Sequence, residues 1–413
     1  MRRFLLLLSL AVSATAAPAQ TWTTQRPPAG LFALTDVHFT DASHGYASAA
    51  VGGLLKTMNG GQTWASLPSG VPSSLRDVHF SSADSGYVVG NVGVVIRTVD
   101  GGASWQRHDL ANNGASVNGV YSHSSRRALV TQGDQIFRTT NGGQTWTVAY
   151  TYNGALPIFT FRFLEFVTPS LGYAVGGYAG SMGGTTQVVK TTDGGATWTL
   201  LPNLVAGGTA VGPAAAVAFP TAQHGYVADV NRRLFRTTDG GQTWTLAGQN
   251  NFGSFYGMHF VGPSTGYGVG DTGNIQYTTD GGQTWTAQGT NTDDTYANVY
   301  FPAPTVGYAV GSDAGAGPRV LKFTNPMAIK PAGPLAGLVA YPNPATTAVQ
   351  LPPLPASLSG QATLLAADGR VVLRQPLRAA TASALLTASL PAGLYVLRIE
   401  AGQYATQQKL MVK

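Results

Sequence analysis

The sequence predicts an all-β protein: a seven-bladed β-propeller closed by its own N-terminal strand, then a small β-sandwich. Three observations carry this. Of 413 residues, 53 are Gly and only two, Glu165 and Glu400, are Glu. Long amphipathic helices need abundant Glu, Lys, Leu and Arg, whereas Gly-rich chains with many Thr, Val and Tyr favour short strands and tight turns. A phrase, T-x-[D/N]-G-G-x-[T/S]-W, recurs and ends at Trp64, Trp105, Trp146, Trp198, Trp244 and Trp285. A seventh copy is split: Val320 to Asn325 runs into Pro326 with no Trp, while Gln20-Thr21-Trp22-Thr23 repeats Gln283 to Thr286.

Residues 1–19 read as an address. A basic start, Met1-Arg2-Arg3, precedes an apolar run from Phe4 to Val12 and the small residues Ala17-Pro18-Ala19, the layout of a secretory signal peptide. That run is too short to span a bilayer, and no later stretch is long enough, so no transmembrane segment is expected in the mature chain. There are no Cys, which excludes disulfides and thiolate metal sites. The net charge of +6 is scattered without basic runs, so nucleic acid is not an expected partner. With 44% hydrophobic and 10% charged residues, a disordered whole is excluded.

Residues 20–326 form the propeller. Each unit reads as four short strands, the pattern of a propeller blade. The first ends in Phe39, Phe80, Phe166, Phe219, Phe260 or Phe301, with Tyr121 in the third repeat. The second opens on Gly followed by Tyr46, Tyr87, Tyr173, Tyr226, Tyr267 or Tyr308; in the third repeat Ala128 takes the Tyr place. The third ends in a basic residue and Thr. The fourth carries the Trp after a turn whose Gly residues supply positive φ and whose Asp or Asn accepts backbone N–H groups. With Trp22 closing the ring, each blade owns one Trp, a structural residue packing between blades. Residues 327–335 are a Pro- and Gly-rich linker, and residues 336–413 alternate apolar and polar positions over 348–351, 362–365, 371–373, 394–399 and 407–412.

Within the last segment, Tyr341-Pro342-Asn343-Pro344, Asp368-Gly369-Arg370-Val371, Leu390 to Val396 and the terminal Lys409 to Lys413 together resemble the type A C-terminal sorting domain of the type IX secretion system. The resemblance implies carriage across the outer membrane of Bacteroidota-type bacteria, with the type IX machinery as partner and release or surface attachment as destination. The D-G-G-x-T-W turn resembles the BNR (Asp-box) turn of sialidases and the propeller of photosystem II assembly factors. Gly-Tyr-x-Val-Gly at 172–176 and 307–311 favours the second. A fold shared among many functions names none of them.

Sialidase-like chemistry implies a Tyr nucleophile paired with a Glu, an Asp acid and three Arg. The propeller holds only Glu165, and no Arg triad stands apart from the repeat. Ser-His-Asp, P-loop and dinucleotide patterns do not occur, and no cofactor or catalytic residue is expected. Three features suit binding. Lys56, Arg97, Arg138, Lys190, Arg236 and Lys322 fill one slot and make a ring of cations, which either captures an anionic surface or packs its stems over neighbours; Tyr277 breaks the series. The slot between Val and Phe on the first strand holds His38, His79, Val120, Glu165, Ala218, His259 and Tyr300 around the channel; no short ligand spacing supports a metal there. Longer loops around blades four and five, within 176–187 and in the links before Tyr173 and Tyr226, should gather on one face with Tyr150, Tyr152, Phe159, Tyr178 and Met182 as contacts. The expected protein is an exported, non-enzymatic, monomeric binding or scaffolding module for a glycan or protein. A glycoside hydrolase is the first alternative and an assembly factor for a membrane complex the second.

Overall fold

The computed structural model describes residues 21–324 and 335–413, apart from 111–113, 155–158, 179–184, 203, 207–208, 211, 250–253, 289, 291 and 314–316 in the first stretch and 336–337, 352, 357, 367–370 and 402–403 in the second. The signal peptide, Met182 and all of the linker but Leu335 lie outside the described residues. The chain forms two compact units, Trp22–Thr324 and, after it, Asn325–Lys413.

The first unit is a ring of seven four-stranded antiparallel sheets. Blade 1 runs Leu34–Phe39, Gly45–Ala49, Gly53–Thr57 and Ala65–Pro68. Blades 2 to 6 follow the same order, beginning at Leu75–Phe80, Val117–Ser122, Thr160–Phe166, Ala214–Ala218 and Phe255–Phe260. Blade 7 is Thr295–Ala303, Val306–Ser312 and Pro318–Thr324, and its outer strand is Thr21–Gln25. The N-terminal strand thus closes the ring. The first strand of blade 7 adjoins that of blade 1.

Burial follows position in the blade. The second strands of blades 1, 2, 3, 5 and 6 are buried at every residue, and those of blades 4 and 7 at all but their ends, because neighbouring blades cover both faces. Between blades the packing unit is aromatic. Phe80 stacks flat on Tyr46 of the preceding blade, centroids 3.5 Å apart, and meets Trp105 of its own blade edge-on at 6.2 Å. The same trio recurs as Tyr173–Phe219–Trp244, Tyr226–Phe260–Trp285 and Tyr267–Phe301–Trp22. Trp22 therefore does in blade 7 what the other Trp do. The Phe ring also covers the Gly before the Tyr: a Cβ on Gly86 would lie 2.4 Å from the Phe80 ring.

Blade 3 departs from its expected phase. Leu129, not Ala128, holds the Tyr place, since it pairs with Arg138 as Tyr87 pairs with Arg97. Ala128 instead pairs with Thr139, as Gly86 does with Thr98. The hairpin between second and third strands is one residue shorter here, which shifts the count. Ser122 then occupies the Phe place and Tyr121 the place of His38, facing Leu129 as His38 faces Tyr46. With no Phe ring to cover it, the Gly place tolerates an Ala.

In the second unit, a four-stranded sheet (Val371–Leu377, Gly360–Ala366, Gly393–Ala401, Tyr404–Val412) and a two-stranded one (Ala348–Leu351, Ser383–Leu386) share one core. Ser383–Leu386 escaped sequence reading because of its four residues only Leu385 is buried. Asn343 of the Tyr-Pro-Asn-Pro phrase accepts the Met411 N–H on Oδ1 (2.9 Å), tying that phrase to the last strand.

Candidate functional site

Every first strand carries a β-bulge at the same place. The register slips between Leu34 and Asp36, Leu75 and Asp77, Val117 and Gly119, Phe161 and Phe163, Ala214 and Ala216, Phe255 and Gly257, and Tyr296 and Asn298. A bulge re-aims side chains. Here it separates two tiers of one channel, a cavity of about 410 Å³ lined by first-strand residues of all seven blades.

The inner tier seals the blades to one another. The inner edge of each first strand would present bare N–H groups to the channel, and unpaired buried N–H groups are costly. Acceptors from the preceding blade take them. Asp36 Oδ2 accepts from Val78 N–H (2.9 Å) and His38 Nδ1 from Phe80 N–H (3.3 Å). Asp77 Oδ2 accepts from Val120 N–H (2.7 Å) and His79 Nδ1 from Ser122 N–H (3.2 Å). Glu165 Oε2 accepts from Phe219 N–H (3.1 Å). Asp36 also accepts from Asn298 Nδ2 of blade 7 on Oδ1, and Asp36 and Asp77 hydrogen-bond to each other.

Burial disfavours the charged forms of Asp77, Glu165, His38 and His79. Burial, with the Asp36 charge second, pushes Asp77 well above the ordinary carboxylate range. Burial raises Glu165 to about 7 against the pull of the Phe219 N–H. Burial lowers His38 and His259 to about 4, and His79 well below its usual value. Because Nδ1 of His38 and His79 accepts a proton, Nε2 of each carries the N–H. The rings of His259, Tyr300, His38, His79, Tyr121 and Phe166 follow one another around blades 6, 7, 1, 2, 3 and 4, with centroids 5.1, 5.1, 4.3, 4.3 and 4.2 Å apart. Ala218 leaves blade 5 out of this collar. Tyr121, not Val120, is the blade 3 member, a consequence of the phase shift. Among the described residues no group of three His, Asp or Glu is placed to hold a metal.

The ring of basic residues makes contacts between blades. Lys56 Nζ donates to Gly101 O (2.9 Å), Lys190 Nζ to Gly240 O (3.4 Å) and Lys322 Nζ to Gly60 O (2.6 Å), each at the Asp-box Gly of the next blade. Their ammonium groups lie 5.4, 5.4 and 5.7 Å from the Tyr46, Tyr173 and Tyr308 ring centroids. Arg236 donates to Gly281 O (3.4 Å), and Arg97 to Ser125 O (2.7 Å) through Nε. Arg138 differs: it lines a cleft of about 330 Å³ with His123 and Arg127, opposite Asp193 of blade 4. Leu129 stands there in place of the larger Tyr.

The loop candidates divide. Tyr152 and Phe159 stack at 3.9 Å and are 8% and 6% exposed, so they belong to the core, correcting their expected role as contacts. Tyr150 is half-buried against Phe161, and Tyr178 ends a lengthened second strand, pairing with Thr185. Second–third hairpins and inter-blade links do meet on one face: Leu110 N–H donates to Gly93 O and Phe161 N–H to Gly133 O.

Sequence reading missed the outer tier. The bulge residues are Thr35, Arg76, Asn118, Arg162, Ala215, Tyr256 and Ala297, on the link face, three positions before the collar slot. Counting back three from His79 and Glu165 would have found Arg76 and Arg162. Their charges bear on one another: burial first, then the Arg162 charge, lowers Arg76.

The comparisons place the chain among propellers with an export signal. Residues 14–156 match the family model for photosynthesis system II assembly factor YCF48, and 235–246 and 276–287 match the BNR/Asp-box repeat. Residues 339–413 match the secretion system C-terminal sorting domain, which directs the chain to the cell surface or the exterior through the type IX system. No curated protein matches. The structure of YCF48 bound to D1 peptide has a TM-score of 0.60 at 20% identity, covering 74% of this chain and 97% of that one. PorZ, a surface component of the type IX secretion system of Porphyromonas gingivalis, has 0.57 at 13%, covering 94% of this chain and 60% of that one. The GH74 xyloglucanase of Xanthomonas campestris has 0.54 at 16%, covering 81% of this chain and 60% of that one. At these identities the likeness is one of fold.

Proposed function

We propose that this exported chain is a non-catalytic binding module whose channel mouth receives an extended segment of a partner protein. One observation carries the reading: the channel carboxylates are spent on holding blades together. Glycoside hydrolysis needs two carboxyl groups roughly 5 to 10 Å apart, each free to act on the substrate. Asp36 and Asp77 are in hydrogen-bond contact instead, and each accepts an N–H of the next blade. Glu165 is likewise engaged with Phe219. The wall between blades 5 and 6 carries Ala216, Val217, Gly257 and Met258 below the exposed Tyr256, and at Ala216 and Gly257 a backbone can lie close to it. That the similarly folded YCF48 was solved with a bound peptide agrees with a peptide ligand.

The test has two arms. The full chain is incubated with a panel of chromogenic glycosides, and separately a pool of fluorescent unstructured peptides is passed over immobilised full chain. The expected result is no turnover together with retention of a subset of peptides. Turnover that disappears in Asp77→Asn would replace this reading with an enzymatic one.

A further inference from the structure

The charge distribution at the mouth is one-sided. Three consecutive blades place Arg76, Asn118 and Arg162 at the bulge position, while Tyr256, Ala297 and Thr35 across the mouth are uncharged. Both Arg side chains are exposed. Among the described residues neither has an ion-pair partner. The charge that bears on Arg76 is the like charge of Arg162. Two guanidinium groups on one rim whose charges bear on each other, with no carboxylate in ion-pair contact among the described residues, form a focus of positive potential.

Arg76 is also aimed. Its Nε donates to Asn91 Oδ1 (2.5 Å), and Asn91 Oδ1 accepts in turn from Ser116 Oγ (3.2 Å). Fixing the guanidinium through Nε leaves its two terminal nitrogens for a planar, bidentate acceptor, the geometry a carboxylate offers. Asn118 Nδ2 is taken by Phe161 O (2.9 Å), so its place between the two Arg adds no competing charge.

We propose that Arg76 and Arg162 form a clamp for a carboxylate of the bound peptide, so that the module selects acidic segments. This rests on the peptide-binding reading. An acidic peptide is the occupant favoured here because Ala216 and Gly257 let a backbone approach the wall across from the clamp; a uronate-bearing glycan stacked on the exposed Tyr256 is the competing occupant that the third probe tests.

Fluorescence anisotropy of the full chain with labelled acetyl-(Ala-Glu)₃-amide and acetyl-(Ala-Gln)₃-amide tests the clamp, with polygalacturonate as a third probe. The Glu peptide should bind and the Gln peptide should not. Arg76→Gln and Arg162→Gln should each weaken Glu-peptide binding roughly tenfold or more and leave the melting temperature unchanged. Arg162→Lys should recover part of the loss, since charge returns without the fork. Equal binding of both peptides, or variants that bind like the parent, would overturn the clamp and leave the binding module intact. Arg-dependent binding of polygalacturonate without the Glu peptide would overturn the peptide assignment. No binding of any probe would overturn the clamp, and the peptide pool of the preceding test then decides whether the module reading falls with it.

Discussion

At the Asp-box rim of the propeller the residue types repeat blade after blade; at the channel mouth on the other rim the equivalent position reads Thr35, Arg76, Asn118, Arg162, Ala215, Tyr256 and Ala297. The same blades supply both rims, so the difference lies in what each side chain does. In the turn of blade 5, Thr237 Oγ1 donates to Asp239 Oδ1 (2.8 Å) and accepts from Gly241 N–H (2.8 Å), while Thr243 donates to Asp239 through N–H (2.9 Å) and Oγ1 (2.6 Å). Gly240 and Gly241 take φ of +72° and +91° to make this possible. Thr237, Asp239, Gly241 and Thr243 each have an internal partner there, and few residue types can supply it. The bulge position has no ladder partner and is free to differ. Departure from the repeat therefore coincides with the rim at which the proposed peptide would be met.

If the regular rim is structural, damage to its aromatic trios should cost most. Trp22→Ala removes three ring contacts and the Nε1 donation to Gln288 that closes the circle. It should destabilise the propeller by about 3 kcal/mol, with a lower melting temperature on calorimetry. Gly86→Ala drives a methyl against Phe80 and should cost about 1–3 kcal/mol. Ala128→Gly in blade 3, where no Phe ring covers that place, should shift denaturant unfolding far less. Asp239→Ala removes acceptors at an exposed turn, for about 1 kcal/mol.

Acidity gives a smaller and signed effect. Between about pH 4 and 6.5 the unfolded chain takes up protons on His38, His79 and His259 that the folded ring refuses. Stability from these groups rises with pH across that window. Glu165 and Asp77 act oppositely, because the folded state keeps protons that the unfolded chain has released. The three His outnumber the two carboxyls, so the melting temperature should climb from pH 4.5 to 6.5. It should then decline as pH rises through about 7, where Glu165 is forced to ionise. A flat profile would mean the inner tier is solvated. Smallest of all, Arg76→Gln should leave stability within about 0.5 kcal/mol, as expected of a residue at the irregular rim.

The fold was legible because its determinants are local and repeated: Gly-Tyr, the Asp-box turn and one Trp per blade. Closure was legible because Thr21 to Gln25 completes a strand pattern that Val320 to Thr324 lacks. Blade 3 misled because one residue lost from the hairpin between its second and third strands shifts the second- and first-strand assignments counted back from Trp146, a loss that pairing reveals. The candidate site was harder. His38, His79 and Glu165 were found as channel residues, but their use as acceptors for the next blade depends on which N–H groups a ring leaves bare. Arg76 and Arg162 were missed because a bulge re-aims side chains without a signature in the strand pattern.

The claim on which the functional reading turns is that the Asp36–Asp77 pair joins blades and does no chemistry. It is tested by comparing the melting temperatures of Asp77→Asn and Asp77→Ala at pH 8, alongside peptide retention. An Asn at 77 can accept the Val120 N–H and donate to Asp36 without needing the shared proton. The account predicts that Asp77→Asn is at least as stable as the parent and binds the same peptides, whereas Asp77→Ala melts lower. Equal destabilisation by both substitutions, or a catalytic turnover lost in Asp77→Asn, would contradict it.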